Sequence, residues 1–176
     1  LIEEHLGVCA IKAEGQGFPD PALRKVMTQR GKTLSFEPEE IEELLHLEYG
    51  DKRTFLLLSL LFPFVDLRNQ FHVDHVYPIS RFTRAKLQKL GFDEHEFDEI
   101  AQMANTLPNL QLLEGVINNE KRASLPTDWL QEHLASTESR TNYMEKHLLG
   151  SLPETILEFR SFHETRRRLL KLRIEE

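Results

Sequence analysis

The sequence predicts a mainly α-helical domain with a β-hairpin plus helix embedded in it. Three observations lead there. Apolar residues recur at helical spacing over 38–62 and from 151 onward. Two short stretches, 71–76 and Leu110–Glu114, are bounded by turn formers and suit strands, and a helix start follows the second directly. The 176 residues are 40% hydrophobic, enough for one core. We therefore expect a single domain over 1–176, with a helical part over 1–66, a hairpin-plus-helix core over 67–125 that carries a helical insertion at 79–107, and further helices over 126–176.

Taken in order, Asp20-Pro21 marks a helix start, with Leu23, Val26 and Met27 on one face. Pro38 opens a second helix, expected to run from Glu39 to about Tyr49 and to stop at Gly50, with Ile41, Leu44 and Leu45 inward and a Glu-rich face in solvent. Residues 52–62 are apolar nearly all round and read as a buried helix closed before Pro63. Two short helices, 81–90 and 97–103, flank Gly91, and a helix is expected to begin near Ile117-Asn118. Residues 129–134 and 143–149 read as weaker helices. Ser151-Leu152-Pro153-Glu154 has the form of a capping box, and Ile156, Phe159, Phe162 and Leu169 then mark a long last helix to about Arg173.

Cysteine and charge narrow the function classes. A lone Cys9 allows neither an internal disulfide nor a paired-cysteine zinc knuckle, which fits a reducing cytoplasm. No apolar run approaches the ~20 residues of a membrane span, so no membrane role is expected. Residue 1 is Leu, not Met, so the chain reads as a piece of a larger protein. A net charge of −7 excludes a surface that attracts nucleic acid everywhere. Any such contact is local, and basic residues do cluster at Arg81-Arg84-Lys86-Lys89, at Lys121-Arg122 and at Arg166-Arg167-Arg168.

Two segments carry chemistry: Phe71-His72-Val73-Asp74-His75-Val76-Tyr77-Pro78, and the run from Asn109 through Gly115 and Asn118 to Lys121. Together they resemble the signature of HNH (ββα-metal) endonucleases, with Asp74-His75 ending the first strand, Asn109 opening the second and Asn118 on the following helix. The fuller pattern, with Pro78 three residues after His75 and Pro108-Asn109-Leu110-Gln111-Leu112-Leu113-Glu114-Gly115 before the helix, is similar to the C-terminal nuclease domain of GmrSD-type modification-dependent restriction proteins. This similarity covers about 54–130. It implies a prokaryotic DNA endonuclease, the effector of a restriction or anti-phage defence protein, joined to an N-terminal nucleotide-hydrolysing sensor domain. The stretch between Pro78 and Asn109 is longer than in compact HNH motifs and must pack beside the site.

The resemblance assigns catalysis to His75 and Asn109, and metal binding to Asp74 and Asn118. Chemistry supports each role. A carboxylate and an amide oxygen are hard ligands for one Mg²⁺ or Mn²⁺ ion. A neutral imidazole deprotonates an attacking water. Asn109 is expected to tie the strands and fix the His75 loop. Lys121, one turn after Asn118, is expected to meet DNA phosphate, together with Arg122, Arg166, Arg167 and Arg168, although a basic last turn equally favours a helix C-terminus. His72 is a partner orienting Asp74, an additional metal ligand or a structural histidine on the strand. Rival readings are a zinc-stabilised module using His72, Asp74 and His75, a catalytically inactive nucleic-acid-binding module of the same fold, and an RNase.

Overall fold

In the computed structural model the described residues are 36–175, apart from 63 and 67. The chain falls into two units, 1–38 and 39–176, and the second holds the sheet and the helices around it. The predicted helix at Asp20-Pro21 and Cys9 lie outside the described residues. Helix α1 spans Pro38–Leu45, and it is shorter than the expected run to Tyr49 because the next backbone groups find other partners. Leu107 N donates to Leu47 O at 2.8 Å and Tyr49 N to Asn105 O at 2.9 Å, and Glu48 bridges Thr106. Gly50 then turns the chain at φ +93°, a conformation that favours glycine.

Helix α2, Lys52–Leu61, is capped by Asp51, whose carboxylate accepts from Arg53 N. It is not buried all round as its composition suggested. Thr54, Leu57, Leu58 and Leu61 face inward, while Leu56 and Leu60 stand 59% and 72% exposed one turn apart. Strands β1, Phe71–His75, and β2, Leu110–Glu114, pair antiparallel with Asp74 opposite Gln111 and His75 opposite Leu110. Between them lie α3, Arg84–Leu90, and α4, Phe97–Asn105. Helix α5, Gly115–Lys121, starts directly after β2 and packs on both strands. The chain is thus mainly helical around a two-stranded antiparallel sheet.

Helices α6, Pro126–His133, and α7, Thr137–Lys146, follow. The second begins six residues earlier than expected because Ser136 caps it through Ser139 N. The capping box at Ser151 does not form. Pro153 O instead accepts a 2.7 Å hydrogen bond from the buried Tyr77 hydroxyl, and the cap falls to Thr155 before a short 3₁₀ turn. The last helix, α8, spans Phe159–Glu175. It joins two apolar clusters: Leu170 packs with Leu45, Leu58 and Leu110, and Phe159 and Phe162 pack with Tyr77, Phe82 and Ile100. Among the described residues no helix is long and apolar enough to cross a membrane.

Two histidines are held neutral inside this frame. Burial lowers His147 to about 3, with Arg166 adding to the effect, and lowers His163 to about 4, while Thr106 Oγ1 lies 2.9 Å from His163 Nε2. Both folded values lie below the ordinary 6.5. The unfolded chain therefore takes up protons that the folded chain refuses once pH falls below about 6.5. Stability is expected to be fully present above that pH and to decline toward pH 4 at up to about 1.4 kcal/mol per pH unit for each histidine. Urea unfolding between pH 7.5 and 5 checks this. The His147→Gln/His163→Gln variant is expected to show a shallower decline than the parent, and equal slopes would refute the buried neutral state.

Candidate functional site

The alternation of a strand sends Asp74 and His75 to opposite sides of β1. Asp74 turns toward α5, where Lys121 Nζ lies 2.7 Å from its Oδ2 and Gln111 Nε2 lies 3.3 Å from the same oxygen. Asp74 Oδ1 accepts no hydrogen bond among the described residues. Lys121 also donates to the His75 carbonyl at 2.6 Å and is 1% exposed. The expectation that Lys121 meets DNA phosphate is therefore corrected: the spacing from Asn118 placed it on the right helix face, but that face packs onto the hairpin. Burial lowers the Lys121 pKa, and Asp74 opposes that shift by favouring the charged form. Asn118 stands one turn before Lys121 on the same short helix and is partly exposed.

His75 turns the other way, into the insertion. Its Nε2 lies 3.2 Å from Asn105 Oδ1 at the end of α4, and its ring lies 4.8 Å from that of Tyr49. Asn105 Nδ2 makes a longer contact, 3.5 Å, with Glu48 Oε2. A flipped amide would set its oxygen against that carboxylate, so Asn105 Oδ1 faces the imidazole and can only accept. Nε2 accordingly carries the proton, and Nδ1 is left as a bare acceptor with no hydrogen bond among the described residues. Burial lowers the His75 pKa, Asn105 and Asp74 oppose this, and Lys121 adds to it.

Asn109 is fully buried. Its Oδ1 accepts from Tyr77 N at 2.9 Å, and its Nδ2 donates to Tyr77 O at 3.0 Å and Ala104 O at 2.7 Å. It ties the chain after β1 to the chain before β2 as expected, but with these bonds made and no exposure it is corrected from a catalytic residue to a structural one. His72 shares a strand face with Asp74 but is exposed, and it packs over Gly115, where an added Cβ would lie 3.3 Å from His72 Nε2. His72, Asp74 and His75 do not converge. Among the described residues no group of three His, Cys, Asp or Glu side chains is placed to hold a metal.

The three consecutive arginines leave their helix about 100° apart and meet three different fates. Arg166 is fully buried, donating to Pro108 O at 3.0 Å and His147 O at 3.4 Å, and burial lowers its pKa to about 9. Arg167 pairs with Glu42, which Lys171 also holds. Arg168 is exposed. The phosphate role expected of all three is thus corrected for Arg166, which solvent does not reach, and for Arg167, whose charge is already met. Arg122 is exposed at the end of α5 with φ 46°.

Sequence reasoning missed Asn105, Glu48 and Tyr49. Glu48 and Tyr49 sit where periodicity predicts the end of an amphipathic helix, and the sequence carries no spacing that links either of them, or Asn105, to His75. No family model matches the chain, and no curated protein matches it.

Two outcomes follow from this geometry. Lys121→Met strands the Asp74 carboxylate beside a buried apolar chain and is expected to cost about 3 kcal/mol in urea unfolding. A cost near zero would mean the pair is not formed. Asn105→Leu removes the acceptor at Nε2, so imidazole ¹⁵N shifts are expected to change from a single Nε2–H tautomer to a mixture, with the fold retained. An unchanged tautomer would show that Asn105 does not set it.

Proposed function

We propose that the chain is a divalent-metal-dependent DNA endonuclease of the HNH kind, hydrolysing phosphodiester bonds, and that it is the effector part of a defence or restriction protein. The observation that carries this reading is the division of labour across β1. A carboxylate with one oxygen left open lies on one side of the strand, and the next residue, on the other side, is a histidine whose tautomer leaves Nδ1 able to take a proton. The ββα order of the motif, with α5 packed on both strands, supports the same reading.

The donor set fits a hard cation. Asp74 would offer Oδ1, since Lys121 and Gln111 occupy Oδ2, and Asn118, on the helix that carries Lys121, would supply an amide oxygen. One carboxylate and one amide leave the remaining positions to water and phosphate, as suits Mg²⁺ or Mn²⁺. When bound, such an ion polarises the phosphate and offsets charge in the transition state. The remaining work falls to side chains. His75 Nδ1 accepts the proton of the attacking water. Asn105 holds the imidazole so that Nδ1 stays bare, and the Tyr49 ring covers one face of it. Lys121 fixes both the Asp74 carboxylate and the His75 backbone carbonyl, which keeps the two groups in register.

Supercoiled plasmid with Mg²⁺ or Mn²⁺, and with EDTA as control, tests the class: nicked or linear product is expected only with the metal. His75→Ala is expected to lose about 10²–10⁴-fold in rate while metal titration calorimetry stays as in the parent. Asp74→Asn, which keeps a hydrogen-bond acceptor for Lys121, is expected to weaken metal binding itself. Near-normal nicking by His75→Ala would remove the histidine from its role, and cleavage unaffected by EDTA would remove the metal.

A further inference from the structure

Many cations of this acidic chain are already neutralised. Arg53 pairs with Asp51, Arg68 with Asp66, Arg84 with Asp98, Arg160 with Glu96 and Glu99, Arg167 and Lys171 with Glu42, and Lys121 with Asp74. Arg81, Lys86 and Lys89 form no ion pair among the described residues. Arg81 donates to Ala123 O at 3.2 Å and Lys86 to Ser80 O at 2.7 Å, both neutral carbonyls. All three line one cleft of about 330 Å³ between α3 and the 154–156 turn.

We infer that this cleft binds the phosphate backbone of DNA, an inference that rests on the nuclease reading above. Lys86 and Lys89 are exposed and three residues apart, so they share the face of α3 that borders the cleft. Three cationic side chains meet a single facing carboxylate, Glu154, which leaves the cleft net positive in a chain of net charge −7. Apolar Leu90, Leu125 and Ile156 supply a floor that sugar rings can cover.

Arg81 gives the cleft its direction. Its bond to Ala123 O ties the cleft to the chain two residues beyond Lys121, at the end of α5. Arg81 also borders a hollow that Ala123 and Ser124 line together with Asp128 and Glu132, so acidic side chains that repel phosphate stand beside the Arg81–Ala123 contact. The favourable phosphate path therefore runs from Lys89 through Lys86 to Arg81 and stops short of that acidic hollow. This assigns a role to the 79–107 insertion beyond positioning His75. It also replaces the phosphate contacts that burial denies to Lys121 and Arg166.

The test is the salt dependence of affinity for a short fluorescein-labelled DNA duplex, read by anisotropy on the full chain in EDTA. Lys86→Gln/Lys89→Gln is expected to weaken binding about tenfold or more and to flatten the slope of log Kd against log salt by about 2, whatever the duplex sequence. Lys86→Arg/Lys89→Arg is expected to keep the slope, and Lys52→Gln, an exposed lysine away from the cleft, to change nothing. Equal slopes for parent and double glutamine variant would overturn the inference, as would a parent that does not bind the duplex. Plasmid nicking run in parallel separates the two ideas. Nicking by the parent with an unaltered slope in the variant sinks the cleft alone. Lysine-dependent binding without metal-dependent nicking sinks the nuclease reading and leaves the cleft standing.

Discussion

One buried amide holds the site together. Asn109 spans from Ala104 to Tyr77, and each of its three hydrogen bonds is made to backbone that has no strand partner of its own. Buried backbone groups left unpaired cost about 1–3 kcal/mol each, so this side chain does for the chain ends flanking the hairpin what a tight turn does for an ordinary one. The positions of His75, Asn105 and the start of β2 all follow from it. An apolar residue of similar volume would fill the space and satisfy none of the three groups.

Around that tie the fold uses buried charge sparingly and with different compensation each time. Lys121 is matched by a carboxylate, and its second bond to the His75 carbonyl couples the helix to the Asp-His dipeptide. Arg166 instead donates to the carbonyls of Pro108 and His147, and its depressed pKa still leaves it charged at neutral pH. The arginine therefore pins α8 to the turn that immediately precedes Asn109, so the C-terminal helix and the hairpin share one set of polar constraints. Ion pairs at the surface, such as Arg84 with Asp98, contribute little by comparison.

The parts of this arrangement legible in the sequence are those written in local pattern. The bounds of β2 follow from its strand pattern and from Gly115 after it, whereas the tying role of Asn109 comes from the resemblance to the HNH signature. Asp74 and His75 stand out by chemistry and spacing. What periodicity does not encode is which face turns inward. Lys121 lies at the expected spacing from Asn118 and is buried rather than presented, and Leu56 and Leu60 are exposed on a helix whose composition suggested burial. Asn105 and Glu48 were illegible for another reason. Asn105 meets His75 and Glu48 meets Asn105 across segments far apart in the chain, through a bridge between residues 48 and 106 that leaves no mark on either segment alone.

The two strands are joined by the whole of residues 76–109, and this shapes how the protein acquires its structure. Closing a connection of that length costs about 3 kcal/mol of chain entropy, against well under 1 kcal/mol for a tight hairpin turn. Two five-residue strands cannot meet that cost by themselves, so the pairing of β1 with β2 waits until α3 and α4 have condensed and shortened the effective span. The hairpin is then expected to pair late in folding, after the insertion has formed. A minimal peptide carrying only the two strands and α5 lacks the elements that bring its own ends together.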